Sequence, residues 1–213
     1  MDASTIDIAA LLDRAPVVPV IVIDDENVAV PLARALVAGG LPVLEVTLRT
    51  DCALSAIKLI AEQVPEAVVG AGTILTPADV SAAVDAGSRF LVSPGSTPRL
   101  LDAMLDSGVA ALPAAATASE VIALLERGIT NAKFFPARPA GGVPYLKSLA
   151  GPLPTVRFCP TGGIDLNTAP DFLALPNVAC VGGSWVTPDD AVAAGDWGRV
   201  ERLAREAAAL RVA

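Results

Sequence analysis

The sequence predicts an α/β fold: a single-domain (β/α)8 TIM barrel over residues 1–213, with an extra helix before the first strand. Three observations predict it. Eight short aliphatic runs recur at intervals of roughly 20 to 26 residues, which leaves room each time for a strand, a loop and a helix. Helix-capping residues stand between the runs. No linker or break in composition divides the 213 residues, a length that suits one barrel.

The eight strands are predicted from runs that are aliphatic throughout rather than alternating. Hydrophobic residues make up 53% of the chain and aromatic residues only 4%. This bias is typical of parallel strands that are buried on both faces. In chain order, the predicted strands are Val17–Ile23, Val43–Thr47, Ala67–Gly70, Arg89–Val92, Val109–Leu112, Asn131–Phe135, Val156–Cys159 and Val178–Val181.

Helix-start and helix-stop residues predict the intervening helices. A helix over Glu26–Ala38 would end at Gly39, since glycine commonly follows a helix C-terminus. Thr117–Glu120 has the spacing of a capping box. The extra helix is predicted over Thr5–Asp13, within an extension of residues 1–15, and would cover the lower end of the barrel. Two more helices start at Thr-Pro pairs, Thr76-Pro77 and Thr97-Pro98, and the closing glycines are Gly87, Gly108 and Gly128.

An open, doubly wound sheet is the alternative arrangement of these elements. It is disfavoured because no Gly-x-Gly-x-x-Gly turn follows the first strand. The near-even spacing of eight strand-helix units also fits a closed barrel better than an open sheet.

Composition and charge exclude several classes of function. The net charge of −8 disfavours nucleic acid as a partner, because phosphate backbones need a basic face. The chain has no histidine, which excludes Ser-His-Asp and Cys-His nucleophiles and most zinc sites. Three widely spaced cysteines predict reduced thiols. Without a signal-peptide pattern or a membrane-length apolar run, we expect a cytoplasmic protein with no membrane partner.

Alternation along two strands predicts a lysine and a glutamate inside the barrel. Side chains two apart on a strand face the same way. In the second strand, Glu45 and Arg49 fall on the face opposite Leu44, so they point into the barrel and its mouth. In the sixth strand, Lys133, one of three lysines in the chain, falls on the inward face. A buried Lys–Glu pair gains little net stability, so a chemical role is favoured over a structural one.

Glycine pairs near the ends of the last two strands predict an anion site. CPTGGID (Cys159–Asp165) follows the predicted seventh strand, and VGGSWV (Val181–Val186) follows the predicted eighth. Loops at these positions of a (β/α)8 barrel commonly hold a phosphate group through backbone N–H groups. Glycines that serve only to form turns are the alternative. Thr73, after the third strand, adds a hydroxyl near the mouth.

Six motifs in this order resemble one known family: LEVTLRT, GAGTIL, SPG, KFFPA, RFCPTGGI and GGSWV. The resemblance, from about Pro16 to Pro188, is to the 2-keto-3-deoxy-6-phosphogluconate (KDPG) and 4-hydroxy-2-oxoglutarate aldolases. These are class I, Schiff-base aldolases, and the KDPG enzymes act in the Entner–Doudoroff pathway. The resemblance implies cleavage of 2-dehydro-3-deoxy-6-phosphogluconate to pyruvate and glyceraldehyde 3-phosphate. It also implies a (β/α)8 barrel, usually a homotrimer, that needs no metal and no cofactor.

The resemblance further implies a role for each residue of the site. Lys133 would be the Schiff-base lysine and Glu45 the general acid/base, while Arg49 and Thr73 would bind the carboxylate end of the substrate. The other implied contacts are Pro94 and Phe135 beside the pyruvate moiety, and Thr161, Gly162, Gly163, Gly182, Gly183 and Ser184 on the phosphate and sugar-backbone side.

Two residues depart from the family pattern. Ala114 lies where relatives often have glycine, and Arg138 lies where many relatives have glutamate. Arg138 would bring a positive charge near the mouth, or would simply be an exposed loop arginine. Alternative substrates are 4-hydroxy-2-oxoglutarate and 2-dehydro-3-deoxy-6-phosphogalactonate. A phosphosugar isomerase and a non-catalytic phosphate-binding barrel are more distant alternatives.

Overall fold

Eight parallel strands form the centre of the computed structural model, which describes residues 7–210. The strands are short, from three to five residues. In chain order, β1 to β8 span Val17–Ile21, Val43–Thr47, Val68–Gly72, Phe90–Val92, Ala110–Leu112, Asn131–Phe134, Arg157–Pro160 and Val181–Gly183.

The strands close into a barrel. Six of them form one sheet in the order β5-β4-β3-β2-β1-β8, and β6 pairs with β7. A bridge between Ala114 and Lys133 joins the end of β5 to β6, and a bridge between Thr161 and Gly182 joins the end of β7 to β8. Each strand therefore neighbours the next in chain order, all the way round. The predicted TIM barrel is confirmed, and the open-sheet alternative is wrong.

Helices follow the strands and surround the barrel. The first, α1, precedes β1, and the last, α10, packs against α2. Helices α1 to α10 span Ile8–Leu12, Ala29–Ala38, Ala53–Gln63, Pro77–Asp85, Pro98–Asp106, Ala118–Leu125, Gly142–Leu149, Ala169–Leu173, Asp189–Ala193 and Trp197–Ala208.

The predicted N-caps are present. Thr76, Thr97 and Thr117 each accept a hydrogen bond from a backbone N–H of the first turn of their helix. Thr117 and Glu120 form the predicted capping box, and Thr76 forms a second one with Asp79 that was not predicted. Each cap of this kind stabilises its helix by about 1 kcal/mol.

The helix predicted over Glu26–Ala38 begins later than expected. Residues Glu26–Val28 form a 3-10 turn, and the α-helix starts only at Ala29. The reason is local: the Asp25 carboxylate accepts a hydrogen bond from the N–H of Asn27, which tightens the entry to the helix. The helix ends before Gly39, as predicted.

The eighth strand begins three residues later and ends two residues later than predicted. Phe158 is bridged to Val178, but three residues later Thr161 is bridged to Gly182. The β8 side therefore holds one extra residue over this stretch, which is a bulge. Consecutive residues Ala179 and Cys180 both pack into the barrel interior. The regular strand starts only at Val181, where pairing with β1 begins.

The third strand starts one residue later and ends two residues later than predicted, because Gly72 also belongs to it. Gly70 and Gly72 pair with Glu45 and Thr47 of β2. A Cβ on Gly70 would lie 2.4 Å from the ring of Phe90, so the glycine makes room for an aromatic side chain from the next strand. Strand β1 ends two residues earlier than predicted, at Ile21, where its last pair is with Val46. The boundaries of the fourth to seventh strands differ from the predicted ones by at most one residue.

Helix α1 closes the lower end of the barrel, as predicted. Its Leu11 and Leu12 are buried against the interior cluster that contains Val18, Val43 and Phe90, near the starts of their strands. Two residues of the predicted helix, Thr5 and Ile6, lie outside the described residues. Within 7–210, every helix is too short or too polar to cross a membrane.

Candidate active site

A buried lysine and a buried glutamate lie at the centre of the barrel mouth. The Lys133 Nζ is 2.9 Å from Glu45 Oε1 and 3.3 Å from Oε2. Only 6% of the lysine side chain and 4% of the glutamate side chain are exposed. The contact expected from strand alternation is therefore present, although 88 residues separate the two positions in the chain.

The space for the Glu45 carboxylate exists because residue 72 is glycine. An ideal Cβ on Gly72 would lie 2.3 Å from Glu45 Oε1 and 2.7 Å from its Cγ. No side chain fits there unless the carboxylate moves. Sequence reasoning missed this residue. The signal was available in GAGT, since glycines two apart on a strand leave one face of it bare.

The backbone of Lys133 is fixed by the residues that directly follow β5. Its N–H donates to Pro113 O, and its carbonyl accepts from the N–H of Ala115. Ala114, between them, is buried and bridges to Lys133. The side chain extends inward, with its ammonium 5.5 Å from the ring centroid of half-buried Phe135. The lysine is thus held on a rigid strand rather than on a mobile loop.

Arg49 and Thr73 meet at the rim of the barrel. The Arg49 Nε donates to Thr73 Oγ1 at 3.1 Å. Arg49 is exposed, and no acceptor among residues 7–210 occupies its two terminal nitrogens. Thr73 has a φ of 60°, an unfavourable backbone conformation for a β-branched residue. The two free guanidinium nitrogens can therefore take a carboxylate from solvent.

The loops after β7 and around β8 differ from each other. Gly162 and Gly163 lie in the loop after β7, with φ values of 109° and 75°. Gly182 and Gly183, by contrast, lie within β8, so the expectation of a second glycine loop there is wrong. Cβ atoms at these positions would overlap the Thr161 hydroxyl and the Trp185 ring. These two glycines therefore make room for side chains.

The remaining predicted residues lie on this same C-terminal face. Thr161 is buried and directly follows β7, and Ser184 is exposed directly after β8. Pro94 is half-buried and follows β4 by two residues. The ten predicted substrate contacts thus come from strand ends or adjoining loops, where (β/α)8 barrels place their reaction sites, and the two central residues lie within β2 and β6.

One cavity lies beside this mouth and not at its centre. It has a volume of about 620 Å³ and is lined by Ser184 but not by Lys133 or Glu45. Val22, Asp24 and Asp189 lie on its wall. We place the reactive position at the Lys133–Glu45 pair, because chemistry requires polar groups in contact and cavity volume alone supplies none.

The described residues offer no ready metal site. Between residues 7 and 210, no three side chains of His, Cys, Asp or Glu cluster closely enough to hold an ion.

Comparison with known proteins identifies the family. Residues 8–203 match the family described as KDPG and KHG aldolase. The chain is 51% identical over 198 residues to the KHG/KDPG aldolase of Escherichia coli K12, covering 93% of each chain. It is 50% identical over 199 residues to the 2-dehydro-3-deoxy-phosphogluconate aldolase of Pseudoalteromonas atlantica, again covering 93% of each.

Solved structures agree with this assignment. The KDPG aldolase of Legionella pneumophila, with pyruvate captured as a covalent carbinolamine intermediate, is 46% identical with a TM-score of 0.92, and the match covers 94% of this chain and 97% of that one. The enzyme of Zymomonas mobilis ZM4 with 3-phosphoglycerate is 49% identical with a TM-score of 0.92, and the match covers 97% of both chains. With half of all residues identical across nearly the whole length, the chain belongs to the KDPG and KHG aldolase family.

Proposed function

We propose that this protein is a class I aldolase that reversibly cleaves 2-dehydro-3-deoxy-6-phosphogluconate to pyruvate and glyceraldehyde 3-phosphate. One observation carries the proposal: a lysine amine inside a barrel mouth lies 2.9 Å from a carboxylate that can exchange protons with it. Both groups are almost fully buried. A purely structural pair would gain little after desolvation, whereas Schiff-base chemistry needs both groups.

Lys133 would act as the nucleophile. Its neutral amine attacks the C2 ketone carbon of the substrate to form a carbinolamine, which loses water to give an iminium. The positive nitrogen then accepts the electron pair of the C3–C4 bond as that bond breaks. Glyceraldehyde 3-phosphate leaves, and the enamine of pyruvate remains on the lysine. Protonation at C3 and attack by water then release pyruvate and restore the amine.

Glu45 would move the protons that these steps require. It takes the proton from the C4 hydroxyl as the C3–C4 bond breaks and gives one to C3 of the enamine afterwards. It also protonates the carbinolamine hydroxyl so that this group leaves as water. Its position against Lys133, supported by Gly72, keeps one carboxylate within reach of all three atoms.

The two charged ends of the substrate would be held on opposite sides of the mouth. Arg49, oriented by Thr73, binds the C1 carboxylate through its free nitrogens. Pro94 and Phe135 lie beside the pyruvate carbons. The phosphate and sugar backbone are bound on the side of Thr161, Gly162, Gly163, Gly182, Gly183 and Ser184. Local donors of this kind attract an anion even though the chain carries a net charge of −8.

A second substrate is favoured by the relatives. The Escherichia coli protein, 51% identical, carries the name KHG/KDPG aldolase. We propose that 4-hydroxy-2-oxoglutarate is also cleaved, because it has the same 2-oxo acid end for Lys133 and Arg49. It has no phosphate group, so it would bind without the loop after β7.

The protein is further proposed to work as a cytoplasmic homotrimer in the Entner–Doudoroff pathway, without metal, cofactor, nucleic acid or membrane. The support is membership of the family. Sedimentation equilibrium tests the assembly: a mass three times the 21.5 kDa chain is expected, and a monomer would contradict it.

Turnover tests the proposed function. We expect pyruvate release from 2-dehydro-3-deoxy-6-phosphogluconate, undiminished by a chelator. Lys133→Met should abolish it, and Glu45→Gln should lower kcat by about 10²- to 10⁴-fold. Lys58→Met, at an exposed lysine, is the control and should change nothing. Turnover that survives in Lys133→Met, or that a chelator abolishes, would contradict the proposal.

A further inference from the structure

We infer that Arg138 is a positioning residue that holds the Gly162–Gly163 turn open toward the phosphate group of the substrate. The inference rests on the proposed function, and it goes further by assigning a task to a residue outside the family's shared motifs. Arg138 neither touches the Lys133–Glu45 pair nor lies in a strand. It belongs to the loop after β6, which runs beside the loop after β7.

Arg138 binds the glycine turn twice. Its backbone N–H donates to Gly162 O at 3.1 Å. Its guanidinium Nη1 donates to the next carbonyl, Gly163 O, at 3.3 Å. The main chain of Arg138 thus fixes one peptide unit of the turn, and its side chain fixes the following one.

Peptide geometry converts these two contacts into an anion site. In a planar trans peptide, the C=O and the N–H point in opposite directions. With the carbonyls of Gly162 and Gly163 turned toward Arg138, the N–H groups of Gly163 and Ile164 point away from it. Neither N–H has an acceptor among residues 7–210. Successive backbone N–H groups aimed at one point form a concavity that binds anions.

The side chain of Arg138 also packs on the turn. An ideal Cβ on Gly163 would lie 3.0 Å from the Arg138 Cδ, so the alkyl stem covers the outer face of that glycine. Directly after the turn in the chain, Thr168 holds Asp165 in a closed ring of hydrogen bonds. Those bonds from Thr168, and to a smaller extent the charge of Arg138, lower the pKa of Asp165. Arg138 therefore holds the turn itself, and the Asp165–Thr168 ring fixes the chain that follows it.

The guanidinium lies behind the turn rather than in the mouth. Arg138 lines a separate cavity of about 280 Å³. The same cavity is lined by Gly142 of α7, by Phe172 of α8 and by Thr168, the residue before α8. Neither Lys133 nor Ser184 lines this cavity. The position favours an indirect effect on the phosphate, through the orientation of the turn, over a direct contact with it.

The test compares substrates with and without a phosphate group. Arg138→Ala should raise KM for 2-dehydro-3-deoxy-6-phosphogluconate by about threefold to tenfold, the effect of one hydrogen bond, with kcat within about twofold. KM for 4-hydroxy-2-oxoglutarate should stay within about twofold. Arg138→Lys, which keeps a cationic donor, should recover part of the loss. Arg34→Ala is the matched control, because Arg34 is also exposed and donates to a backbone carbonyl, at the end of α3.

The outcomes separate this inference from the proposed function. An equal loss on both substrates, or no change in KM with Arg138→Ala, would overturn the role of Arg138. Should the unaltered protein turn over neither substrate, the proposed function fails. Calorimetric titration with inorganic phosphate then still decides the inference: weaker binding by Arg138→Ala supports it, and equal binding overturns it.

Discussion

Replacing Gly72 with alanine should disable Glu45 while leaving the barrel folded. The new Cβ would lie 2.3 Å from Glu45 Oε1, 2.7 Å from its Cγ and 2.8 Å from its Cδ. Ordinary contacts of this kind begin near 3.4 Å, so the carboxylate must retreat by about 1 Å. A misplacement of that size can cost about 100-fold in rate. We therefore expect Gly72→Ala to lower kcat for the retro-aldol reaction about 100-fold.

A neighbouring glycine provides the control that separates catalysis from overpacking. Gly70 lies on the same face of β3, and the three atoms nearest to its Cβ would all belong to the Phe90 ring, from 2.4 Å, whereas those nearest to a Cβ on Gly72 all belong to Glu45. Both variants should lose about 1–3 kcal/mol in the free energy of unfolding, the usual cost of overpacking. Only Gly72→Ala should also lower kcat about 100-fold. Urea unfolding and steady-state kinetics measure the two effects, and equal losses of kcat would refute the reasoning.

Three further outcomes are expected. Lys133→Met should lower the free energy of unfolding by about 3–5 kcal/mol, because it leaves Glu45 buried without its partner, and adding Glu45→Gln should restore most of it in urea titrations. Thr73→Gly should change the free energy of unfolding by less than about 1 kcal/mol, because relief of the left-handed backbone offsets the lost hydrogen bond to Arg49. The same variant should raise KM for both substrates, because Arg49 is no longer oriented by Thr73. The pKa of Glu120 is lowered below its ordinary 4.5, mainly by the hydrogen bond from the N–H of Ala116. The ionised Glu120 carboxylate therefore stabilises the fold above pH 4.5, and this stabilisation is lost as the pH falls through the lowered pKa. Glu120→Gln should remove this acid dependence from the free energy of unfolding, measured as a function of pH.

Local sequence signals predicted most of the fold. The aliphatic runs marked all eight strands, and threonine caps and closing glycines marked helices such as Pro98–Asp106 to within one or two residues. The error at the start of the Glu26–Ala38 helix has a local cause, but the errors in the strands come from contacts between distant parts of the chain. The bulge before β8 depends on how Phe158 and Thr161 pair with the next strand. No short window of sequence contains that information.

The central pair of the site was also predictable from local sequence, whereas contacts between loops were not. Strand alternation alone predicted that Glu45 and Lys133 both face the barrel interior, because the two-residue period of side-chain directions is a local property of each strand. Glycines gave an ambiguous signal: those at 162 and 163 form a turn, whereas that at 72 serves a side chain on another strand. The contact of Arg138 with Gly163 joins two loops, so it could be seen only in three dimensions.

Borohydride trapping with pyruvate, followed by mass spectrometry of the peptides, tests the central claim most directly. Reduction fixes any iminium as a stable secondary amine on the lysine that formed it. We expect a single pyruvyl adduct on Lys133, retained in Lys58→Met and Lys147→Met and absent in Lys133→Met. No adduct, or an adduct on either of the two exposed lysines instead, would contradict the Schiff-base mechanism.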